Sequence, residues 1–360
     1  MVDCLHPVDC WLCGKIYCKA DGLLSSRLVF SAREAMSYFE HIYGSGPVAL
    51  NAMNDARMSQ PCGKCKACML RKRKEMSVRL AHECSMWNNA VFITLTYDED
   101  NVPVTDKTLT IDNPLKDFYR GKDVDLTSGD WDRTLNIPDV QKFMKRLRRH
   151  LEYVPKKCKC VRDHLDTKVR YFACGEYGTK THRPHYHIII FGWKPSDLVA
   201  FKLHNGNVVY RSAQVEKLWP FGLSSCSDVN TAVAQYCARY VTKKIATQDK
   251  RLWVIPEFNL TSKRNGGIGS TWWHAFGRHA CESNVCTIRS KNGDCIRVCL
   301  PKYYLYLLRK YDLQLFKKVR DSRIEFSKNY SRQARSYSDI IRSIEVSDYR
   351  DEQLSEYEVF

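Results

Sequence analysis

No run in these 360 residues approaches the roughly 18 consecutive apolar positions of a membrane-spanning helix, and the opening Met-Val-Asp-Cys-Leu-His-Pro lacks a signal-peptide pattern. A membrane or secreted protein is therefore not expected, and a cytoplasm is the expected place of work. No internal repeat is visible. No glycine-rich loop ends in Gly-Lys-Ser or Gly-Lys-Thr, so no nucleotide-driven helicase is built in, and opening a duplex falls to a recruited helicase. Acidic residues are outnumbered, 40 against 57 Lys and Arg, for a net charge of +17. Such a balance favours a polyanionic partner, and nucleic acid is the simplest candidate. Cysteine, by contrast, is plentiful at 17 residues. The odd count forbids complete internal pairing and, in a cytosolic chain, points to reduced thiols or metal sites. A hydrophobic content of 44% suffices for a real core.

The stretch Arg183-Pro-His-Tyr-His-Ile-Ile-Ile-Phe191 reads as a buried strand entered through a proline, which turns His185 and His187 to one face. Residues 169–174 read as the preceding strand, with Glu176 just before the loop of 177–184. Paired as a hairpin, the two strands bring Glu176 toward the histidines. Two imidazoles and a carboxylate suit Mg²⁺ or Mn²⁺ with open positions, ready to polarise a phosphoryl oxygen. Alone, a His-x-His triplet arises often by chance; the context carries this reading.

Within residues 228–245, Val233, Cys237, Val241 and Ile245 recur every four residues, with Asp228 or Asn230 placed to cap, so the segment reads as a helix. At about 100° per residue, Tyr236, Tyr240 and Lys243 share a neighbouring face. A tyrosine oxygen can attack phosphorus, and an ammonium beside it favours the phenolate. In isolation such a pair is equally a half-buried aromatic couple on an amphipathic helix.

Five motifs occur in order: Cys62-Gly-Lys-Cys-Lys-Ala-Cys68, Phe92-Ile-Thr-Leu-Thr-Tyr97, Cys174-Gly-Glu-Tyr-Gly178, Arg183-Pro-His-Tyr-His187 and Tyr240-Val-Thr-Lys-Lys244. Together they are similar to the replication initiation proteins of gokushovirus-like microviruses, small single-stranded DNA phages, within the two-tyrosine HUH endonucleases. The resemblance covers about residues 60–270. It implies an α+β, HUH endonuclease-like domain with a central antiparallel sheet flanked by helices, plus N- and C-terminal extensions. The element order strand, helix, strand, strand, helix agrees. By the same resemblance, His185 and His187 match the metal-binding histidines, Glu176 the third ligand, Tyr236 and Tyr240 the paired nucleophiles, and Lys243 and Lys244 the basic end of the tyrosine motif. Arg239 stands where lysine is frequent. The implied activity is nicking of one strand at an origin, attachment to the 5′ end through tyrosine, and release of a 3′ hydroxyl to host polymerase. The second tyrosine then allows the displaced strand to be joined into a circle. Single-stranded and origin DNA, a host helicase and a host DNA polymerase are the implied partners, and the host bacterial cytoplasm the implied location.

The remaining signals are less directed. Cys10 and Cys13 can join Cys62 and Cys65 around a structural Zn²⁺, or Cys62, Cys65 and Cys68 can do so with His82 or Cys84, or the thiols are simply buried. Residues 69–84 read as a basic helix, either solvated or laid against phosphates. In Ser262-Lys-Arg-Asn-Gly-Gly-Ile-Gly-Ser270, Lys263, Arg264 and the backbone amides can approach phosphates, though a plain loop reads as well. With Arg183 and Arg239 they make the expected DNA-contacting cations. Three regions are expected: a cysteine-rich part over 1–88, a nicking domain over 89–270, and a helical part over 271–360 ending in a polar acidic tail. Two other function classes fit parts of the pattern: an HUH transposase or relaxase, and a non-enzymatic zinc-containing nucleic-acid-binding regulator.

Overall fold

The computed structural model describes residues 4–18, 23–104, 133–157, 169–178, 183–204, 207–229, 233, 237–239, 255–263, 266–289, 294–329 and 336–355. The chain divides into two compact units, Met1–Lys72 with Leu308–Arg350, and Arg73–Leu307 with Asp351–Phe360.

In the first unit, β1 (Val8–Cys18) pairs antiparallel with β2 (Leu23–Val29) on one side and β3 (Arg57–Gln60) on the other. Helices α1 (Ala32–Tyr43) and α2 (Pro47–Asp55) complete it. The Ser31 hydroxyl accepts from the Glu34 amide and so caps α1. Trp11, Cys13, Val29, Ala35, Phe39 and Ala49 form a small shared core. The region reads from sequence as loose because its apolar residues are spread over five short elements with no long period. Helix α3 (Lys66–Cys84) begins here, as does a correction to the expected acidic tail. Tyr337–Ser355 is a helix, and its Ile340 and Ile344 are buried with Ala67 against Leu5, Cys65 and Leu70.

The second unit is built on a seven-stranded sheet of β4 (Ala90–Tyr97), β5 (Arg170–Tyr177), β6 (Pro184–Phe191), β7 (Val199–His204), β8 (Asn207–Arg211), β9 (Gly222–Asp228) and β10 (Phe258–Thr261). Their order is β10-β5-β6-β4-β9-β8-β7, with every pairing antiparallel. The expected α+β class and antiparallel central sheet are thus present. Strands β4 and β6 are rich in β-branched and aromatic residues and are buried on both faces, which sets them at the centre.

Alternation along the strands sorts two cores. On one face Val91, Ile93, Leu95, Tyr186, Ile188 and Ile190 meet Val140, Phe143, Met144, Leu147 and Leu151 of α4 (Ile137–Lys157). Each of these buried helix side chains contributes about 1.5–3 kcal/mol. A buried polar chain ties helix to sheet: the Tyr97 hydroxyl donates to Asp139 Oδ2 at 2.9 Å and lies 2.8 Å from the Tyr186 hydroxyl. On the opposite face Phe92, Phe172, Cys174, Ile189 and Phe191 pack with Leu80, Cys237, Ala238 and Ile268. Period two places Glu176, His185 and His187 on this second face.

His82 of α3 is buried, stacked on Trp272 with ring centroids 3.7 Å apart. Its Nε2 lies 2.9 Å from the Thr287 carbonyl, which can only accept, so Nε2 carries the proton and Nδ1 accepts from the Tyr304 hydroxyl at 2.8 Å. Burial lowers the imidazole to about 4. An unfolded chain takes up this proton below about pH 6.5 and the folded one does not, so stability falls as pH drops through that window. Between pH 7 and pH 4 the loss from this group is about 3 kcal/mol. Urea unfolding at the two pH values checks it: His82→Gln should show a pH dependence smaller by that amount, and an unchanged one would contradict it.

Candidate active site

Strands β5 and β6 pair with Glu176 opposite His185 and Cys174 opposite His187, which is the hairpin expected from sequence. Glu176 Oε1 lies 2.7 Å from His185 Nε2 and 2.8 Å from His187 Nε2. Glu176 is 1% exposed and His187 2%. Burial by itself raises the Glu176 carboxyl, but the hydrogen bonds and charge of the two imidazoles outweigh it and hold the group well below the usual carboxylate range.

The far side of each ring is also held. His185 Nδ1 lies 3.1 Å from the Arg183 carbonyl, an obligate acceptor, so Nδ1 carries a proton and Nε2 is the atom turned to the carboxylate. His187 Nδ1 lies 3.0 Å from the Thr94 hydroxyl, because β4 pairs with β6 in the register Thr94 to His187. Phe92 packs against the same ring at 5.4 Å. Thr94 was missed as a site residue. Its only sequence signal is even spacing with Phe92 on a strand whose partner was unknown. Next to Glu176, a Cβ on Gly175 would stand 2.8 Å from the Phe258 ring, so glycine there lets β10 pack closely on β5.

All three ligand atoms of Glu176, His185 and His187 lie within 4.8 Å of one another. Two imidazole nitrogens and a carboxylate oxygen aimed at one point fit a divalent cation with positions left for water or phosphate.

Residues 237–239 are helical, as is Val233, and Cys237 and Ala238 are fully buried in the core on the triad's own sheet face. Burial first, then the charges of Cys84 and Glu176, push the Cys237 thiol well up. Tyr236, Tyr240, Lys243 and Lys244 lie outside the described residues, as does Asn230. Asp228 ends β9 and pairs with Lys194 at 2.6 Å, so it belongs to the strand and not to the helix cap.

The expected DNA-contacting cations separate. Arg239 is 4% exposed, so its guanidinium is turned into the protein and not toward a DNA surface. Arg183 donates through Nε to the Tyr97 carbonyl at 3.0 Å and pairs with Glu99 at 2.6 Å, which steadies the backbone oxygen that His185 uses. Lys263 is exposed, and Arg264 lies outside the described residues. The glycine-rich loop is tied down. Its Gly269 amide donates to Glu83 Oε2 at 2.6 Å, its Ile268 carbonyl accepts from Arg79 at 3.0 Å, and its Gly267 carbonyl accepts from Arg170. The Gly269 amide is therefore committed to a carboxylate of the protein.

The cysteines sort differently from either zinc set read from spacing. Cys4 joins Cys62, Cys65 and Cys68, their sulfurs within 4.8 Å of one another. Cys10 Sγ instead donates to the Met58 carbonyl, and Cys13 lies in the small core of the first unit. Cys84 packs against the sheet core with its thiol raised by burial to about 12, and His82 is engaged as described above. Strand β1 carries Cys10 and Cys13 into the sheet, which is why their chelate-like spacing leads elsewhere.

Residues 90–245 match the family model of the ORF2-type replication-associated protein, a span that contains the triad and the tyrosine segment. Replication-associated protein VP4 of Bdellovibrio phage phiMH2K is 30% identical over 250 residues, 69% of this chain and 67% of that protein. Replication-associated protein ORF2 of Spiroplasma virus 4 is 30% identical over 273 residues, 74% of this chain and 73% of that protein. Replication-associated protein ORF4 of Chlamydia phage 1 is 29% identical over 260 residues, of which this chain covers 53%. No solved structure matches significantly. On these likenesses the chain belongs to the family of phage replication-associated proteins, the microvirus-like initiators of rolling-circle replication.

Proposed function

We propose that this chain nicks one strand of origin DNA by metal-assisted attack of a tyrosine, and later rejoins the displaced strand into a circle. Glu176, His185 and His187 share one sheet face with Cys237 and Ala238, the residues between Tyr236 and Tyr240. That shared face is the observation that carries the proposal. A tyrosine oxygen attacks the scissile phosphorus and the bond to the 3′ oxygen breaks. The departing oxygen takes up a proton to become a free 3′ hydroxyl, while the 5′ phosphate stays on the tyrosine. Lys243 and Lys244 favour the phenolate and offset charge on phosphorus. The second tyrosine repeats the attack after one round of synthesis, and reversal of the first linkage joins the strand.

Glu176, His185 and His187 would hold Mg²⁺ or Mn²⁺, and the donor set fits: both Nδ1 atoms are already occupied, leaving Nε2 of each ring to ligate. When bound, the ion polarises a phosphoryl oxygen. Thr94 orients His187, and the Arg183 carbonyl orients His185. Host helicase and polymerase supply strand separation and extension in the bacterial cytoplasm. Among the described residues no helix is long and apolar enough to cross a membrane. The relatives' names speak for replication over transposition or conjugative transfer.

Incubation with a labelled single-stranded origin oligonucleotide, with Mn²⁺ or with chelator, tests this by denaturing electrophoresis. A metal-dependent protein–DNA band is expected, lost on combining Tyr236→Phe with Tyr240→Phe while DNA binding persists. A binding regulator would give no band under any condition, and an adduct in the doubly substituted protein would refute the tyrosine assignment. Thr94→Val, which keeps the shape and removes the hydroxyl, should raise the Mn²⁺ concentration for half-maximal nicking about 10- to 100-fold. An unchanged requirement would mean that Thr94 does not hold the ring.

A further inference from the structure

We infer that Cys4, Cys62, Cys65 and Cys68 bind one structural Zn²⁺, separate from the nicking site. Cys4 Sγ lies 3.5 Å from Cys62 Sγ and 3.6 Å from Cys65 Sγ, and all four sulfurs fall within 4.8 Å of one another. A tetrahedral ion with Zn–S of about 2.3 Å sets its sulfurs about 3.8 Å apart, so the set is already close to the required size.

The backbone around the sulfurs is arranged for thiolates. Cys62 Sγ accepts from the amides of Lys64 and Cys65 at 3.4 and 3.2 Å. Cys65 Sγ accepts from the Leu5 amide at 3.4 Å, and Cys4 Sγ from the Cys62 amide at 3.3 Å. Four amide donors turned toward three sulfurs stabilise negative charge there, as outer-sphere partners do around metal thiolates. Gly63, at φ 72°, makes the tight turn that lets Cys62 and Cys65 face one point. Cys68 is fully buried and Cys4 6% exposed, which shields the centre from solvent. A fifth cysteine is not needed, and all-sulfur tetrahedral coordination is what zinc takes in closed sites.

Binding replaces the thiol protons by zinc–sulfur bonds, and the protons go to solvent. Zinc fastens the start of the chain, 58 residues from Cys62, to the first turn of α3. The same turn supplies Cys65, Ala67 and Leu70 to the cluster that buries Ile340 and Ile344. Zinc therefore also supports the seat of the helix Tyr337–Ser355.

Elemental analysis of the purified full chain tests this, in a background carrying His185→Ala and His187→Ala so that the other metal group is disabled. One zinc per chain is expected. It should persist in Cys10→Ser and Cys13→Ser and fall below half in Cys4→Ser and Cys65→Ser. Because those last variants can misfold, native thiol alkylation followed by peptide mass analysis gives a second reading on the unsubstituted chain. Cys4, Cys62, Cys65 and Cys68 should be protected together and become reactive together when chelator removes the metal. Iron in place of zinc, no bound metal, or alkylation of the four unaffected by chelator would overturn the inference.

Discussion

His187→Ala should lower the single-turnover nicking rate about a thousandfold, while the protein remains folded. The imidazole is one of three ligand donors, and without it the remaining Glu176 and His185 hold a divalent ion weakly and off its place. Several kcal/mol of charge stabilisation at phosphorus is what such an ion supplies, and about 4 kcal/mol corresponds to that factor. The structural cost is smaller. His187 lies 3.0 Å from the Thr94 hydroxyl and 2.8 Å from Glu176, and its removal leaves each short of one partner. A loss of about 1–3 kcal/mol in unfolding free energy follows. Cleavage kinetics at saturating Mn²⁺ and urea unfolding, run on the same preparation, separate the two effects. A cleavage rate within tenfold of the unsubstituted chain would show that the triad does not serve the chemistry.

Glu83→Ala should cost about 3–5 kcal/mol of stability, the range for breaking one side of a buried ion pair. The Glu83 side chain is fully buried, and its Oε1 meets Arg170 Nε at 2.7 Å. It also accepts from the Trp87 indole at 3.0 Å, the Thr271 hydroxyl at 3.1 Å and the Gly269 amide at 2.6 Å. Removal leaves a guanidinium, an indole, a hydroxyl and an amide to share whatever acceptors remain. The residues it joins come from α3, from the first position of β5 and from the glycine-rich loop. Loosening them disturbs the strand that carries Glu176. Replacing Glu83 and Arg170 together by leucine should cost less than Glu83→Ala alone, because no charge is then left buried. Urea unfolding measures both, and a loss below about 1 kcal/mol for Glu83→Ala would contradict this view of the network.

Much of this was readable from local pattern. The β-branched run gave β4 as 90–97, and the apolar stripe gave α4 from its first turn, where Pro138 follows Ile137. Two histidines with a tyrosine between them, followed by three isoleucines, fixed the face of β6, and hairpin pairing brought Glu176 opposite His185. What escaped depends on partners far along the chain. Cys4 is 58 residues from Cys62, with no spacing rule to join them. Thr94 acquires its role only through the β4–β6 register. The glycine-rich loop looked open because its anchor, Glu83, lies 186 residues before Gly269. The helix Tyr337–Ser355 read as a tail because few apolar residues, Ile340 and Ile344 among them, stand in a strongly charged segment. Arg239 looked like a DNA contact because charge alone does not reveal burial.

Mass spectrometry of the covalent adduct tests the central claim most directly. Purified protein would be reacted with an origin oligonucleotide and Mn²⁺, digested with nuclease and protease, and the modified peptide sequenced. A nucleotide remnant on Tyr236 or Tyr240, formed only with metal, is the predicted result. A remnant on any other residue, or an adduct formed equally in chelator, would contradict the account.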